Sequence, residues 1–310
     1  MYYPYFRGKQ YELISIRENA ELMASMGFIP IIEPVREALA GLERALKAVC
    51  DAGGKVVVII NPYHGDHRDN GDVITELLKL YRGRKSVGVG ILLREDMELA
   101  EALGHYDRHI HHEITFIHNG FVHGKELALA LGDRLIATQN VFNDAHCIKA
   151  YRKHFIGSKR VLLHDGFKRR RNRDYPSVEL FSDLNIIFQD EGMDGFGDFS
   201  IVGDDYSESG GPAYAVAIHL TFIDPDQDGA MFVYHFVSDS QDTPTDPAGK
   251  FAEAVDKLIR KLDSGGSKLY ESSAIIELRE LHAKGHFPGL GYLKKLSLNH
   301  HVETLADFFG

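Results

Sequence analysis

The stretch Leu39-Ala-Gly-Leu42-Glu-Arg-Ala-Leu46-Lys-Ala-Val49, followed by Gly53-Gly54-Lys55-Val56-Val57-Val58-Ile59-Ile60-Asn61, decides the fold class. Leu39, Leu42, Leu46 and Val49 recur at three- and four-residue steps, so they share one face of a helix. Gly53-Gly54 stands where that helix needs a left-handed stop. The run from Val56 to Ile60 is apolar on both faces, as a strand buried between two layers must be. The same rhythm extends outward, with strands expected at 28–32, 89–93, 114–117, 135–137 and 161–163 and helical spacing between them. Buried strands that alternate with helices form a parallel sheet covered by helices. Six such units in the first half predict an α/β, (β/α) TIM-barrel-like fold rather than an open doubly wound sheet.

The rhythm breaks after Lys168-Arg169-Arg170-Arg171-Asn172-Arg173. Strand-like runs at 199–202, 214–222 and 231–236 follow, but no helix fits between them. Asp224-Pro-Asp-Gln-Asp-Gly229 is a turn sequence that suits a β-hairpin. Tyr214 and Val216 are expected to begin the eighth barrel strand, with 231–236 added antiparallel at the rim. Asp246-Pro247 is an N-cap and first-turn pair, and Phe251, Val255, Leu258 and Leu262 line the helix that follows. Two further helices are expected over 272–283 and 292–309. The chain reads as a single barrel-like domain over 1–310. Regular βα units cover 1–172, an acidic loop and strands 173–245, and C-terminal helices 246–310.

Charge is segregated along the chain. It has 35 Lys+Arg and 45 Asp+Glu, yet sixteen of the acids fall between Arg173 and Lys250, where there is no lysine or arginine. An acidic block beside a basic loop is what a cation site near a phosphate site needs, and an acidic solvated face produces it too. A formal charge of −10 argues against nucleic acid as a partner. No apolar run reaches the roughly 20 residues of a membrane helix, and no secretory signal opens the chain, so a cytoplasmic protein is expected. Cys50 and Cys147 read as small buried hydrophobes rather than a disulfide or zinc pair. No P-loop, dinucleotide-binding glycine motif or nucleophile elbow is present, so no nucleotide cofactor motif is found.

Parallel α/β folds bind ligands outside the carboxyl ends of their strands. The residues that close each apolar run are therefore the candidates: Glu33, Asn61, Arg94, His118, Gln139, His164 with Asp165, and Asp204 with Asp205. Glu33, Asp165, Asp204 and Asp205 form an oxygen-rich set suited to a divalent metal, Mg2+ or Mn2+. His118 and His164 are the candidate general acid and base, because imidazole titrates nearest neutral pH. Arg7, Lys9, Asn61, Arg94 and Arg169 are the candidate phosphate-binding residues. Gly203, Gly210 and Gly211 suit a loop lying close over a ligand. His64 with His67, and His109, His111 and His112, match no dedicated metal motif.

Tyr3-Pro4…Arg7-Gly8-Lys9…Glu12-Leu13, then Pro30-Ile31-Ile32-Glu33 and Gly197-Asp198-Phe199, resemble the bacterial and phage Beta-protein family. The opening is similar to an uncharacterised bacterial branch of it. The chain departs in having Gln10-Tyr11 before Glu12, where the pattern puts glycine, and Phe199 where tyrosine is common. The resemblance implies a barrel-like α/β fold and a setting in phage–host conflict, and it carries over no catalytic assignment. The expected function is a metal-assisted hydrolase or transferase acting on a phosphate-bearing substrate. The alternative is a non-catalytic binding or sensor subunit that works with a protein partner from the same operon.

Overall fold

The computed structural model describes residues 1–208 and 211–310, so Gly210 lies outside the described residues. In chain order the strands are β1 (Tyr5–Phe6), β2 (Ile31–Ile32), β3 (Val56–Ile59), β4 (Val87–Arg94), β5 (Ile114–Asn119) and β6 (Gln139–Asn143). They continue with β7 (Lys159–His164), β8 (Val178–Ser182), β9 (Gly195–Asp198), β10 (Ala217–Asp224) and β11 (Ala230–Val237). The helices begin with α1 (Gln10–Glu18), α2 (Ala20–Ser25), α3 (Ala40–Asp51), α4 (Asp72–Leu78), α5 (Leu99–Arg108) and α6 (Gly124–Leu131). The rest are α7 (Lys149–Arg152), α8 (Leu184–Ile187), α9 (Pro247–Asp263), α10 (Ser273–Lys284) and α11 (Leu290–Phe309).

Two compact units share the chain: Met1–Asp165 with Ile187–Phe199, and Gly166–Ile186 with Ser200–Gly310. The barrel fills the first unit rather than the whole of 1–310. Its sheet runs β1-β2-β3-β4-β5-β6-β7-β9 with parallel pairing throughout, and a bridge from Tyr2 to Phe196 brings the last strand back to the first. Following the register once around from position 197 in β9, through Tyr3 beside β1, returns to position 189, a shear of eight residues. Eight strands with a shear of eight define the TIM barrel. Side chains alternate across each strand, and Tyr3, Tyr5, Ile29, Ile31, Val57, Ile59, Leu92, Ile117, Val141, Val161, Leu163 and Phe199 form one buried cluster, the barrel interior.

Three strand expectations shift. Residues 135–137 belong to a 3-10 turn, Gly132–Ala137, and the strand is the next segment, Gln139–Asn143. Its reading is masked because buried Asn140 faces away from the interior and its amide is held by Thr138 and Ser158. The eighth strand is Gly195-Phe196-Gly197-Asp198, whereas Tyr214 and Val216 lie in the second unit. Glycine hides this strand: a Cβ at Gly197 would stand 2.1 Å from the Tyr3 carbonyl oxygen, so only glycine fits. Residues 200–202 form a 3-10 turn rather than a strand.

The second unit is an antiparallel sheet ordered β10-β11-β8, with α9 and α10 on one face. The expected hairpin forms between β10 and β11. Asp224 accepts a hydrogen bond from the Asp226 amide at 3.0 Å, and Asp228 and Gly229 take the left-handed backbone at φ 56° and 82°. Asp246 caps α9 by accepting from the Gly249 amide at 2.9 Å, and Ser272 caps α10. Val216, Ile218, Leu220 and Phe236 bury against Phe251, Val255 and Leu258 of α9 and Ile275 and Leu278 of α10. Such burial of alternate strand residues against a helical stripe is the dominant stabilising term in a layer of this kind.

Candidate functional site at the carboxyl end of the barrel

Beyond the last apolar layer, the inward positions of the barrel become polar. β4, β5 and β6 end in Arg94, Asn119 and Asn143, and the chain leaves β1, β2 and β3 through Arg7, Glu33 and Asn61. Most of this ring is internally satisfied. The Asn143 amide donates to Asn119 Oδ1 at 3.1 Å. Asn61 bonds the Leu92 backbone in both directions, at 2.9 and 2.8 Å.

Arg7 and Glu33 form a buried pair, Nε to Oε2 at 2.8 Å. Glu33 Oε2 also accepts from the Tyr5 hydroxyl at 2.9 Å, and Oε1 accepts from the amides of Tyr63 and His64 at 2.8 and 3.1 Å. Four donors therefore engage the carboxylate expected to be a metal ligand. Its place is that of an internal counter-ion, which a buried charge requires. The Arg7 guanidinium lies 5.5 Å from the ring centres of both Tyr5 and Phe199. Glu12 accepts from the Arg7 amide at 2.8 Å and the Lys9 amide at 3.4 Å, so Lys9 caps α1. Gly8 turns at φ +60°, and a Cβ there would press on the Glu33 carbonyl oxygen at 3.0 Å. Asp198 accepts from the Tyr2 hydroxyl at 2.8 Å. Arg7, Gly8, Lys9, Glu12, Glu33 and Phe199, six of the residues that carry the family resemblance, are thus linked around the Arg7–Glu33 pair.

His118 stands apart from this ring. It faces away from the interior, fully buried among Phe116, Phe142, Tyr151 and Phe155. Asn140 spends its amide on Thr138 and Ser158, so its Oδ1 accepts from His118 Nε2 at 2.9 Å. His118 Nδ1 then accepts from the Tyr151 hydroxyl at 2.8 Å. Burial pushes this imidazole down to about 3, against the Asn140 bond. A neutral, doubly bonded ring sealed from solvent is a packing element.

His164 is the opposite case. It ends β7 with its side chain 38% exposed, and Nδ1 donates to Asp144 Oδ2 at 2.7 Å. Nε2 has no partner among the described residues. The Asp144 hydrogen bond raises its pKa above the usual 6.5, against partial burial, and the charges of Asp144, Asp165 and Asp198 add to the rise. Asp144 was not among the sequence candidates. Its strand was misplaced by a few residues, and only the pair Asn143-Asp144 after Val141-Phe142 could have marked it.

The remaining candidates lie elsewhere. Arg94 is partly exposed, bonds Asp96 at 3.0 Å and sits 5.9 Å from the Tyr63 ring centre. Arg169 donates to the Asp205 carbonyl at 2.9 Å within the second unit, to which Asp204 also belongs. In the basic run, Arg170 and Lys168 pair with Glu179 and Arg173 with Asp174, so three of its charges are held by the acidic block. Gln139 opens β6 at its amino end and accepts from the Tyr3 hydroxyl at 2.9 Å. His67 and His109 each spend a ring nitrogen on a backbone carbonyl, of Arg36 and His105 respectively. Among the described residues, no group of three or more His, Cys, Asp or Glu side chains is arranged to hold a metal ion. No helix among them is long and apolar enough to cross a membrane.

No protein-family model matches the chain, and no curated protein matches its sequence. Among solved structures, one of a morphinone reductase mutant in complex with tetrahydroNAD is similar at a TM-score of 0.39 and 10% identity. The match covers 64% of this chain and 82% of that one. The register and strand order, rather than this likeness, carry the barrel assignment.

Proposed function

We propose that the chain is an enzyme whose acid–base centre is the His164–Asp144 pair at the carboxyl end of the barrel strands. The observation that carries this reading is the 2.7 Å Nδ1–Oδ2 hydrogen bond on a partly exposed histidine whose Nε2 is unengaged among the described residues. Asp144 fixes the tautomer with the proton on Nδ1 and stabilises the imidazolium once Nε2 takes a second proton. Nε2 can then accept a proton from an attacking water or hydroxyl, or return one to a leaving group. The Asp144 bond holds the His164 pKa above the usual 6.5, which makes Nε2 a stronger proton acceptor than that of an unpaired imidazole.

The substrate class we propose is phosphate-bearing, with Arg94 as the anion-binding group and a hydrolytic or group-transfer reaction. Arg94 supports this because it also closes a barrel strand, β4, and its carboxylate partner among the described residues, Asp96, is itself exposed. The clustering of motif residues around Arg7 and Glu33 supports a Beta-protein-like relationship as part of the same reading.

The test is a panel of chromogenic phosphate monoesters, diesters and carboxylic esters, assayed with wild-type protein, His164→Ala and Asp144→Asn. The expected result is a turnover lost by at least about a hundred-fold in His164→Ala, the usual scale of general acid–base catalysis. A turnover that survives in His164→Ala would remove the proposal.

A further inference from the structure

A second site lies wholly within the sheet-and-helix unit. α9 packs on β10 and β11, and β8 continues the sheet beyond them as its outer strand. Between the β8 side of this face and the helix runs an open groove of about 820 Å3. Phe222, Phe232 and Tyr234 form its floor, with Phe222 stacked on Tyr234 at 4.3 Å and on Phe232 at 5.8 Å. Lys257, Lys261 and Lys268 stand along it.

The outer edge of β8 is unpaired. Glu179 is opposite Val233, and Ser177 accepts from the His235 amide at 3.0 Å, so Ser177 and Glu179 direct their backbone groups toward β11. In an antiparallel ladder the alternate residues point the other way, so the N–H and C=O of Val178 and Leu180 face outward. No hydrogen bond reaches those groups among the described residues. Their side chains share the groove face of the sheet, opposite Tyr234 and Phe232, and remain 42% and 45% exposed. An edge strand with apolar side chains and open backbone groups is a template for another strand.

Charge selects the occupant. Glu179 is matched by Arg170, Asp224 by Lys268, and Lys257 by Asp239. Lys261 is the exception: it rests over the Tyr234 ring at 5.1 Å and has no carboxylate partner among the described residues. The groove therefore presents one uncompensated cation beside an apolar floor.

We propose that β8 is a docking edge for an extended acidic peptide segment of a partner protein. The segment adds as a fourth strand through the backbone of Val178 and Leu180. Apolar side chains of the segment pack beside Val178 and Leu180, and an acidic side chain on the same face pairs with Lys261. This site shares no residue with the His164–Asp144 centre.

Fluorescence anisotropy on the full chain tests it, using a fluorescein-labelled octapeptide, Val-Thr-Val-Thr-Glu-Thr-Val-Thr, whose valines and glutamate share one face of an extended strand. Three controls accompany it: the same peptide with lysine in place of glutamate, the acidic peptide N-methylated at alternate residues, and size measurement of the protein alone. The expected result is saturable binding of the acidic peptide, at least ten-fold weaker to Lys261→Glu and to the lysine peptide, and lost on N-methylation. N-methylation alters only the ligand, so it tests strand pairing without risk to the fold. Equal binding of the N-methylated or lysine peptide, or no binding at millimolar peptide, would overturn the proposal. A dimer of the chain that Leu180→Pro dissociates would also overturn it, by showing a second copy on this edge.

Discussion

Two histidines, one in each unit, donate to a carboxylate and are driven in opposite directions. His164 Nδ1 bonds Asp144 at 2.7 Å, and its pKa rises. His235 Nε2 bonds Glu179 at 3.1 Å, yet burial pushes it down to about 4, against the pull of Glu179. The His235 side chain is fully enclosed, and Arg170 and Lys168 already neutralise its carboxylate. Its other nitrogen faces His219 at 2.7 Å, and burial holds His219 at about 3 with His235 beside it. Since His235 gives its Nε2 proton to Glu179, its Nδ1 accepts from His219. The lesson is that a neighbouring carboxylate does not make a histidine reactive. Solvent access, and whether the carboxylate's charge is already spent, decide between a packing ring and an acid–base group.

The largest test of this contrast is truncation. His219→Ala should cost about 3 kcal/mol in urea unfolding, because it opens a cavity and strands the His235 nitrogen. His164→Ala should cost about 1 kcal/mol or less, as partly exposed positions do. Equal losses would break the comparison.

Next in size is acid sensitivity. His118, His219, His235 and His300 have folded-state pKa values pushed by burial to about 3, 3, 4 and 4. The unfolded chain takes up protons near pH 6.5 while the folded chain resists, so their stabilisation is complete above that pH. It falls as pH drops from about 6.5 toward 4. Each group contributes a slope of about 1.4 kcal/mol per pH unit in that window. Urea midpoints measured from pH 7 to pH 4.5 should fall steeply, and His235→Phe should reduce the slope by about one proton. His164 acts in the reverse sense. Its raised pKa gives stability present below pH 6.5 and lost as pH rises through the folded value. His164→Ala should therefore leave the acid slope nearly unchanged.

The smallest expected effect is a shift without a loss of fold. Asp144→Asn should lower the His164 pKa while changing stability by less than about 1 kcal/mol. An unchanged pKa would show that Asp144 does not set the chemistry of His164.

Both units are partly legible in the sequence. The helix face of Leu42, Leu46 and Val49 and the run from Val56 to Ile60 announce the barrel, because burial on both faces leaves no room for polar residues. The turn from Asp224 to Gly229 and the caps at Asp246 and Ser272 are equally plain, since each rests on local chemistry. β6 and β9 are not, because one hides a satisfied buried asparagine and the other is half glycine. At the site, His164 and Arg94 follow from strand ends. The roles of Glu33 and His118 do not, because they depend on four donors and an aromatic cage from segments distant in sequence.

The most direct measurement is a pH titration of the imidazole resonances of His164 and His235 by NMR, assigned through His164→Gln and His235→Gln. His164 is expected to titrate above 6.5 and His235 to stay neutral until about pH 4. His164 titrating at or below the midpoint of His235 would contradict it.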